Sequence, residues 1–428
     1  MRILYDILFF FFTLFYLPFF FLKGKHRAGF ASRLGKVPSE VRTELKDKRV
    51  IWIHAVSVGE IAQAVHLADV LRGKIPWAKF LLTTTTVAGH EVAGKLKSGE
   101  DTLLYFPLDF RCSVRSFIRA VKPAAMILME TELWPNLIFE LACRRVPVFV
   151  MNGRISDRAI VQYKKILFFA GDVVNRLSGI GAQDALMKQR FLELGARPDL
   201  VRVTGNMKFD WKPSESSADV LSRMEEVLKR DGGILCIAGS THEGEEQVLF
   251  KMARALRARC PGFRLLVAPR HLHRLPDIER LAAKENLTLH RISKIAPSEE
   301  KRYDKESDAV YILDQMGILA SAYRMADLVF IGGSLVPVGG HNPVEPAFFE
   351  KPILFGPFMN NFREMAEAFK RSGAAREVDA LTMERRMEEL TFDGDQRKAM
   401  GAAAKRLVRL HEGAVEKNIE MFLEIVQP

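Results

Sequence analysis

Along most of the chain, apolar residues come in short continuous runs, each followed by a turn and then by a segment of helical period. The runs at 50–55, 80–83, 103–106, 124–129, 146–151, 177–182 and 201–204 read as strands, with helical patterns at 61–71 and 88–96 between the first three. Continuous rather than alternating apolarity marks strands covered on both faces, as in a parallel sheet flanked by helices. Residues 212–217 (Lys-Pro-Ser-Glu-Ser-Ser) form a polar, proline-containing break, the kind of composition that separates domains. The alternation then restarts, with strands at 234–238, 263–268, 309–313, 327–331 and 352–355, a helix at 246–258, and a charged, Ala-rich helical tail from Thr382. The pattern predicts an α/β protein of two doubly wound domains, one over 49–211 and one over 234–395. Residues 212–233 are then a linker and lead-in helix, and 396–428 are C-terminal helices that pack back toward the first domain.

The exception to this pattern is the N-terminus. Residues 4–22 are almost continuously apolar and hold eight phenylalanines. About 20 apolar residues cross a bilayer as a helix, so 1–22 is expected to be a membrane anchor. Asp6 near one end and Pro18 near the other leave both a spanning and a partly inserted helix open. A basic juxtamembrane segment follows over 23–48. From Lys23 to Arg49, nine Lys and Arg stand against three acidic residues, which is +6 of the formal charge of +11. Beside a membrane segment, that excess keeps the following body cytoplasmic and draws it to anionic lipid; no nucleic acid is needed to explain it. At 428 residues two cores are natural. Cys112, Cys143, Cys236 and Cys260 form no CxxC pair, which argues for reduced thiols and against a zinc or disulfide framework.

In doubly wound sheets ligands bind beyond the carboxyl ends of the strands, and the unusual polar clusters of this chain all fall there. The longest is Gly332-Gly333-Ser334-Leu335-Val336-Pro337-Val338-Gly339-Gly340-His341-Asn342-Pro343-Val344-Glu345-Pro346. A strand, two glycine pairs and a new helix make a seat for phosphate or a nucleotide, with Glu345 placed to accept from ribose hydroxyls. GxGxxG and the Walker A pattern are absent, so hydride transfer and ATP hydrolysis lose their support. Glu60, in Ser57-Val58-Gly59-Glu60, has two readings: a general base at the end of the first strand, or the N3 partner of Ser57 in a capping box. Glu130 and Glu132 flank Thr131 before Trp134-Pro135, and Lys208 ends the first half within Gly205-Asn206-Met207-Lys208-Phe209-Asp210. Arg270 after Pro269 offers a fork for phosphate. His242-Glu243 lacks the second histidine of HExxH, and no metal site is expected.

Taken in order, Ser57 to Glu60, Glu130-Thr131-Glu132-Leu133-Trp134-Pro135-Asn136, Gly205 to Asp210, Ser240-Thr241-His242-Glu243-Gly244-Glu245-Glu246, Pro269-Arg270-His271, Asp314-Gln315-Met316-Gly317 and Gly339 to Glu345 resemble the 3-deoxy-D-manno-octulosonic acid (Kdo) transferases over essentially the whole chain. The resemblance implies a GT-B glycosyltransferase: two Rossmann-like domains facing a cleft, the first on the acceptor side and the second binding the CMP-sugar, behind a membrane-anchor helix. It implies an inverting, metal-independent enzyme without cofactor, at the cytoplasmic face of the inner membrane, in lipopolysaccharide synthesis. The donor would be CMP-Kdo and the acceptor a hydroxyl of the lipid A precursor, lipid IVA. Carried over by position, Glu60 is the general base, and Glu130 and Lys208 stabilise the transition state. Pro269, Arg270, Met316, Gly317, Ile318, Asn342, Pro343, Val344 and Glu345 bind CMP-Kdo. Ile318 departs from the more polar residue expected in some relatives; a backbone contact would survive the change. Two other readings use the same fold: a non-catalytic nucleotide-sugar or lipid-binding protein, and a transferase that uses a UDP-sugar.

Overall fold

The computed structural model describes residues 3, 5–7, 9–11, 13–14, 29–210, 218–229, 233–295 and 308–426. It divides into two units, one of residues 1–210 with 411–428 and one of residues 211–410. The polar break expected at 212–217 lies outside the described residues.

The first unit is built on seven parallel strands: β1 (Arg49–His54), β2 (Ala78–Thr84), β3 (Thr102–Tyr105), β4 (Pro123–Met129), β5 (Val148–Gly153), β6 (Gly179–Ala182) and β7 (Val201–Val203). Their order is β3-β2-β1-β4-β5-β6-β7. The chain therefore works outward from β1 in one direction and restarts at β4 in the other, and the crevice where the order reverses opens between β1 and β4. The apolar runs are strands because both faces are covered: Ile51, Ile53, Ile127 and Met129 pack into one core with the Val58–Lys74 helix, while Trp52, Met126 and Leu128 pack into the other. The C-terminal helix Ala414–Leu423 belongs to this unit, with Val415, Ile419, Met421 and Phe422 buried against Phe149 and its neighbours. The preceding helix, Gly394–Arg409, lies in the second unit.

The second unit repeats the plan with β8 (Leu235–Thr241), β9 (Arg264–Pro269), β10 (Thr288–Arg291), β11 (Ala309–Ile312), β12 (Leu328–Ile331), β13 (Ile353–Phe355) and β14 (Ala375–Glu377). All pair in parallel, in the order β10-β11-β9-β8-β12-β13-β14. Here the reversal falls between β8 and β12.

Among the described residues no helix is long and apolar enough to cross a membrane, and residues 1, 2, 4, 8, 12 and 15–28, which hold most of the expected anchor and the start of the basic segment, lie outside them. The described part of the apolar run is tied to the first unit. The Tyr5 hydroxyl donates to Asp109 (2.8 Å), Asp6 accepts from the Asn136 side chain (2.6 Å), and it pairs with Arg111 (2.7 Å). The charge within the run thus has partners on the domain. Ile3, Ile7, Phe10, Phe11 and Leu14 remain exposed, at the spacing of one helical stripe.

Candidate active site

In the first unit the reversal crevice is lined by carboxylates. Ser57 ends the turn after β1 and caps the Val58–Lys74 helix: its hydroxyl accepts from Glu60 N (3.2 Å), and Glu60 reaches back to accept from Ser57 N (3.3 Å) and Val56 N (3.0 Å). The capping box is complete. It also fixes the Glu60 carboxylate, 8% exposed, at the mouth of the crevice. Capping and chemistry are compatible here because a carboxylate oxygen has a second lone pair after accepting one N–H.

After β4 the chain turns at Glu130, which adopts a left-handed conformation (φ 55°) that costs a non-glycine residue about 1–2 kcal/mol. That turn swings Glu130 toward the loop after β7, where Lys208 Nζ meets its carboxylate at 2.7 Å. Glu132, two residues on, accepts from Trp134 Nε1 (2.9 Å). Burial raises the Glu60 carboxyl above the usual range, and the nearby Glu130 charge adds to it. Glu132 is pushed up to about 7, first by burial and then by Glu60 and Glu130. Three carboxylates this close, with one ammonium paired to Glu130, cannot all ionise easily, and Glu132 is raised furthest of them toward holding the proton.

His54, the last residue of β1, supports that assignment. Its Nδ1 lies 3.0 Å from the Thr83 carbonyl, an acceptor only, so Nδ1 carries the hydrogen. Burial depresses its pKa to about 3. The bare Nε2 has no partner and faces Glu132 at 3.9 Å, and a lone pair aimed at a carboxyl disfavours its ionised form.

A buried amide network holds the Lys208 loop to this cluster. Asn152, left-handed (φ 57°) near the end of β5, donates to Gln63 (2.7 Å) and accepts from Met207 N (3.0 Å). Gln183 donates to the Asn152 carbonyl (3.1 Å) and accepts from Asn206 (3.3 Å). Gln63 stands one turn beyond Glu60, so the helix carrying the carboxylate and the loop carrying the lysine share one set of hydrogen bonds.

The second unit holds a cavity of about 360 Å³ at the carboxyl ends of its strands. Pro269, Arg270, Met316, Gly317, Asn342 and Glu345 line it, joined by Ser240, Gln315, Tyr323 and His341, which the sequence reading did not single out as binding residues. Glu345 accepts from the Asn342 side chain and is pushed up to about 7 by burial. Gly317 is left-handed (φ 81°), and Met316 is 65% exposed at the rim. Ile318, Pro343 and Val344 do not line the cavity. Ile318 is 7% exposed, Pro343 and Val344 are buried, and Val344 N donates to Asn342 Oδ1 (3.0 Å), so that N–H is already used.

The Gly332-Gly333 turn behaves differently from the phosphate seat expected of it. Its N–H groups do converge on an anion, but the anion is Glu245. Gly333 N (2.7 Å), Ser334 N (2.9 Å) and Leu335 N (2.9 Å) donate to the Glu245 carboxylate, with His242 N (2.9 Å) a fourth donor. Burial pushes the Glu245 carboxyl up and those donors pull it back. Four donors and its place at the start of the Glu245–Arg257 helix fit a carboxylate. The partner lies 88 residues from Gly333 in sequence, which is why the local pattern reads as open. What is left for a ligand is the later half of the stretch, from His341 to Glu345.

A family model described as 3-deoxy-D-manno-octulosonic-acid transferase (kdotransferase) matches residues 28–211. A 3-deoxy-D-manno-octulosonic acid transferase of Haemophilus influenzae is 34% identical over 87% of this chain and 86% of its own length. One from Chlamydia trachomatis serovar A is 27% identical over 94% of this chain and 91% of its own. Among solved structures, the UDP-GlcNAc 2-epimerase of Neisseria meningitidis bound to UDP-GlcNAc aligns over 88% of this chain and 99% of its own at 12% identity, with a TM-score of 0.50. At that identity it speaks for the two-domain α/β fold alone.

Proposed function

The chain belongs to the 3-deoxy-D-manno-octulosonic acid (Kdo) transferase family, and from that premise we propose that it moves Kdo from CMP-Kdo to a hydroxyl of lipid IVA with inversion and without a metal ion. The observation that carries the reading is the gathering of Glu60, Glu130 and Lys208 in one crevice, with Glu60 held in place by its own capping box. In the reaction, the acceptor hydroxyl gives its proton to Glu60 as its oxygen bonds to the anomeric carbon. The bond from that carbon to the phosphate oxygen breaks, and CMP leaves with the electron pair. Arg270 in the cavity of the second unit meets the charge on the departing phosphate, and Glu345 accepts from the ribose. Lys208, oriented by Glu130, balances the negative charge of the acid sugar. Part of the binding energy is thereby available only as charge develops, the condition for it to raise turnover.

We further propose that the enzyme works at the cytoplasmic face of the inner membrane. The exposed stripe of Ile3, Ile7, Phe10, Phe11 and Leu14 and the basic segment from Lys23 to Arg49 support this, since apolar burial and anionic lipid attraction add. The test is mass spectrometry of the glycolipid made from CMP-Kdo and a tetraacyl precursor, run also in excess chelator and with competing UDP-sugars. We expect a Kdo-bearing lipid and released CMP, undiminished by chelator or UDP-sugars. Binding without CMP release would make it a carrier, and loss of activity restored by added metal would reject the metal-free mechanism.

A further inference from the structure

Two histidines meet where the strand order of the second unit reverses. His242 follows β8, and His341 lies in the loop after its neighbour β12, 99 residues away. Their rings meet edge to edge, nearly coplanar, with centroids 5.3 Å apart, 12° between planes and Nε2 atoms 3.0 Å apart. Gly333 (φ 66°) lies against both: a Cβ there would come within 3.2 Å of Cδ2 of each ring. The Gly-Gly turn is therefore also the floor on which this pair rests. His341 lines the cavity beside Ser240 and Arg270.

Two nitrogens at that distance share one proton, one ring donating and the other accepting. In the neutral pair one Nδ1 is a donor and the other is a bare acceptor. One added proton, on that bare Nδ1, leaves the Nε2 hydrogen bond intact and turns both Nδ1 atoms into donors. Without a ligand the surroundings oppose this. Burial, then His242, Arg270 and His271, hold His341 down to about 4. Burial, His271, Arg274 and Arg270 lower His242, with only Glu246 pulling the other way. The nearby carboxylates are engaged elsewhere: Glu246 holds Arg274 through both oxygens (2.8 and 3.1 Å) and accepts from Thr241 (2.9 Å), while Glu245 is taken up by backbone N–H groups. His271 completes the surroundings, edge-on to His242 at 5.5 Å. The one carboxyl in the cavity lining, Glu345, is pushed up to about 7 by burial and so is only a partial counter-charge to Arg270; a site of this kind takes an anion.

We propose that His242 and His341 form an anion subsite at the cavity, which gains one proton from solvent as an anionic oxygen of the nucleotide-sugar donor arrives. The ligand chemistry is a phosphate or a sugar carboxylate, and the proposal rests on the reading of the cavity as a nucleotide monophosphate seat. The test is titration calorimetry of the full-length protein at pH 7 in buffers of different ionisation enthalpy, with CMP, cytidine and CMP-Kdo as ligands. For a phosphate ligand, CMP binding takes up protons and cytidine binding does not. For a carboxylate ligand, only CMP-Kdo does so. In either case His341→Gln abolishes the uptake and weakens binding by about tenfold, the worth of one charge-assisted hydrogen bond; His242→Gln, at a residue that does not line the cavity, abolishes the uptake with a smaller loss of affinity. Uptake that persists in His341→Gln and vanishes in Glu345→Gln would move the proton to the carboxyl and overturn the subsite. So would binding of CMP and CMP-Kdo with no buffer dependence. Failure of both nucleotides to bind would overturn the nucleotide reading of the cavity and the subsite with it.

Discussion

At the residue scale, the carboxylate cluster of the first unit separates roles by environment. Burial raises both carboxyls, but two backbone donors pull Glu60 back, while Glu132 has one indole donor and a bare imidazole nitrogen beside it. Glu60→Gln keeps the capping geometry but cannot take a proton. Turnover should fall by about 10²–10⁴ with CMP affinity within about twofold of wild type, measured by steady-state kinetics and calorimetry. Turnover near wild type would remove Glu60 as the base. Glu132 gives a stability prediction whose sign follows from its raised pKa of about 7. A carboxyl that binds its proton more tightly when folded makes stability fall as pH rises, from its unfolded value of about 4.3 up to about 7, and flat above. Glu132→Gln imitates the protonated form. It should melt with wild type near pH 4 and exceed it at pH 8, by on the order of 3 kcal/mol; equal shifts at both pH values would refute the assignment. Glu60 is legible in sequence as a capping residue and as a base because Ser-x-x-Glu is a local signal. Which of the two carboxylates flanking Thr131 pairs with Lys208, 78 residues away from Glu130, depends on the left-handed turn at Glu130, and no spacing announces that.

At the element scale, strands are legible wherever burial on both faces makes a run apolar from end to end. β10 and β14 are harder to read: both are short edge strands of the second sheet with exposed or half-buried positions. The loops that hold the site are less legible still, because their geometry is set by partners on other elements. Asn152 is the example. Its sequence context, Asn152-Gly153-Arg154-Ile155-Ser156, marks only a polar turn at a strand end, yet it is fully buried, left-handed, and bonded to the Glu60 helix and the Lys208 loop together. Asn152→Ala keeps the strained backbone and leaves the Met207 N–H and the Gln63 Oε1 without partners, while Gln63 Nε2 still donates to the Gly59 carbonyl. The expected cost is about 2–4 kcal/mol, from two unsatisfied buried groups. Turnover should fall more than KM rises, as Lys208 loses its fixed position relative to Glu60. A melt combined with kinetics below the melting range checks both parts, and an unchanged kcat in a folded variant would mean the network is structural only.

At the scale of the whole molecule, the chain leaves the first unit at Asp210 and returns at His411, so the two units differ in what they need in order to fold. The second is one continuous segment, with its own core running from Cys236 through Phe330 to Met400. The first is closed by the C-terminal helix. Asp210 accepts from Gly413 N (3.2 Å) and Val415 N (2.7 Å), His411 Nδ1 accepts from Asn206 N (3.2 Å), and Val415, Ile419, Met421 and Phe422 enter the core of β1, β4 and β5. At about 1.5–3 kcal/mol per fully buried large side chain, these four contribute on the order of 8 kcal/mol. A domain's whole stability is about 5–15 kcal/mol. Residues 211–410 expressed alone should therefore fold cooperatively and bind CMP. A chain ending at 410 should keep that binding while losing the first unit's cooperative melt, and a synthetic peptide of residues 411–426 supplied in trans should restore the melt. Two transitions in the full chain that collapse to one in the shortened chain, followed by calorimetry, are the expected outcome. A shortened chain that still melts in two steps would mean that the returning helix only decorates the first unit.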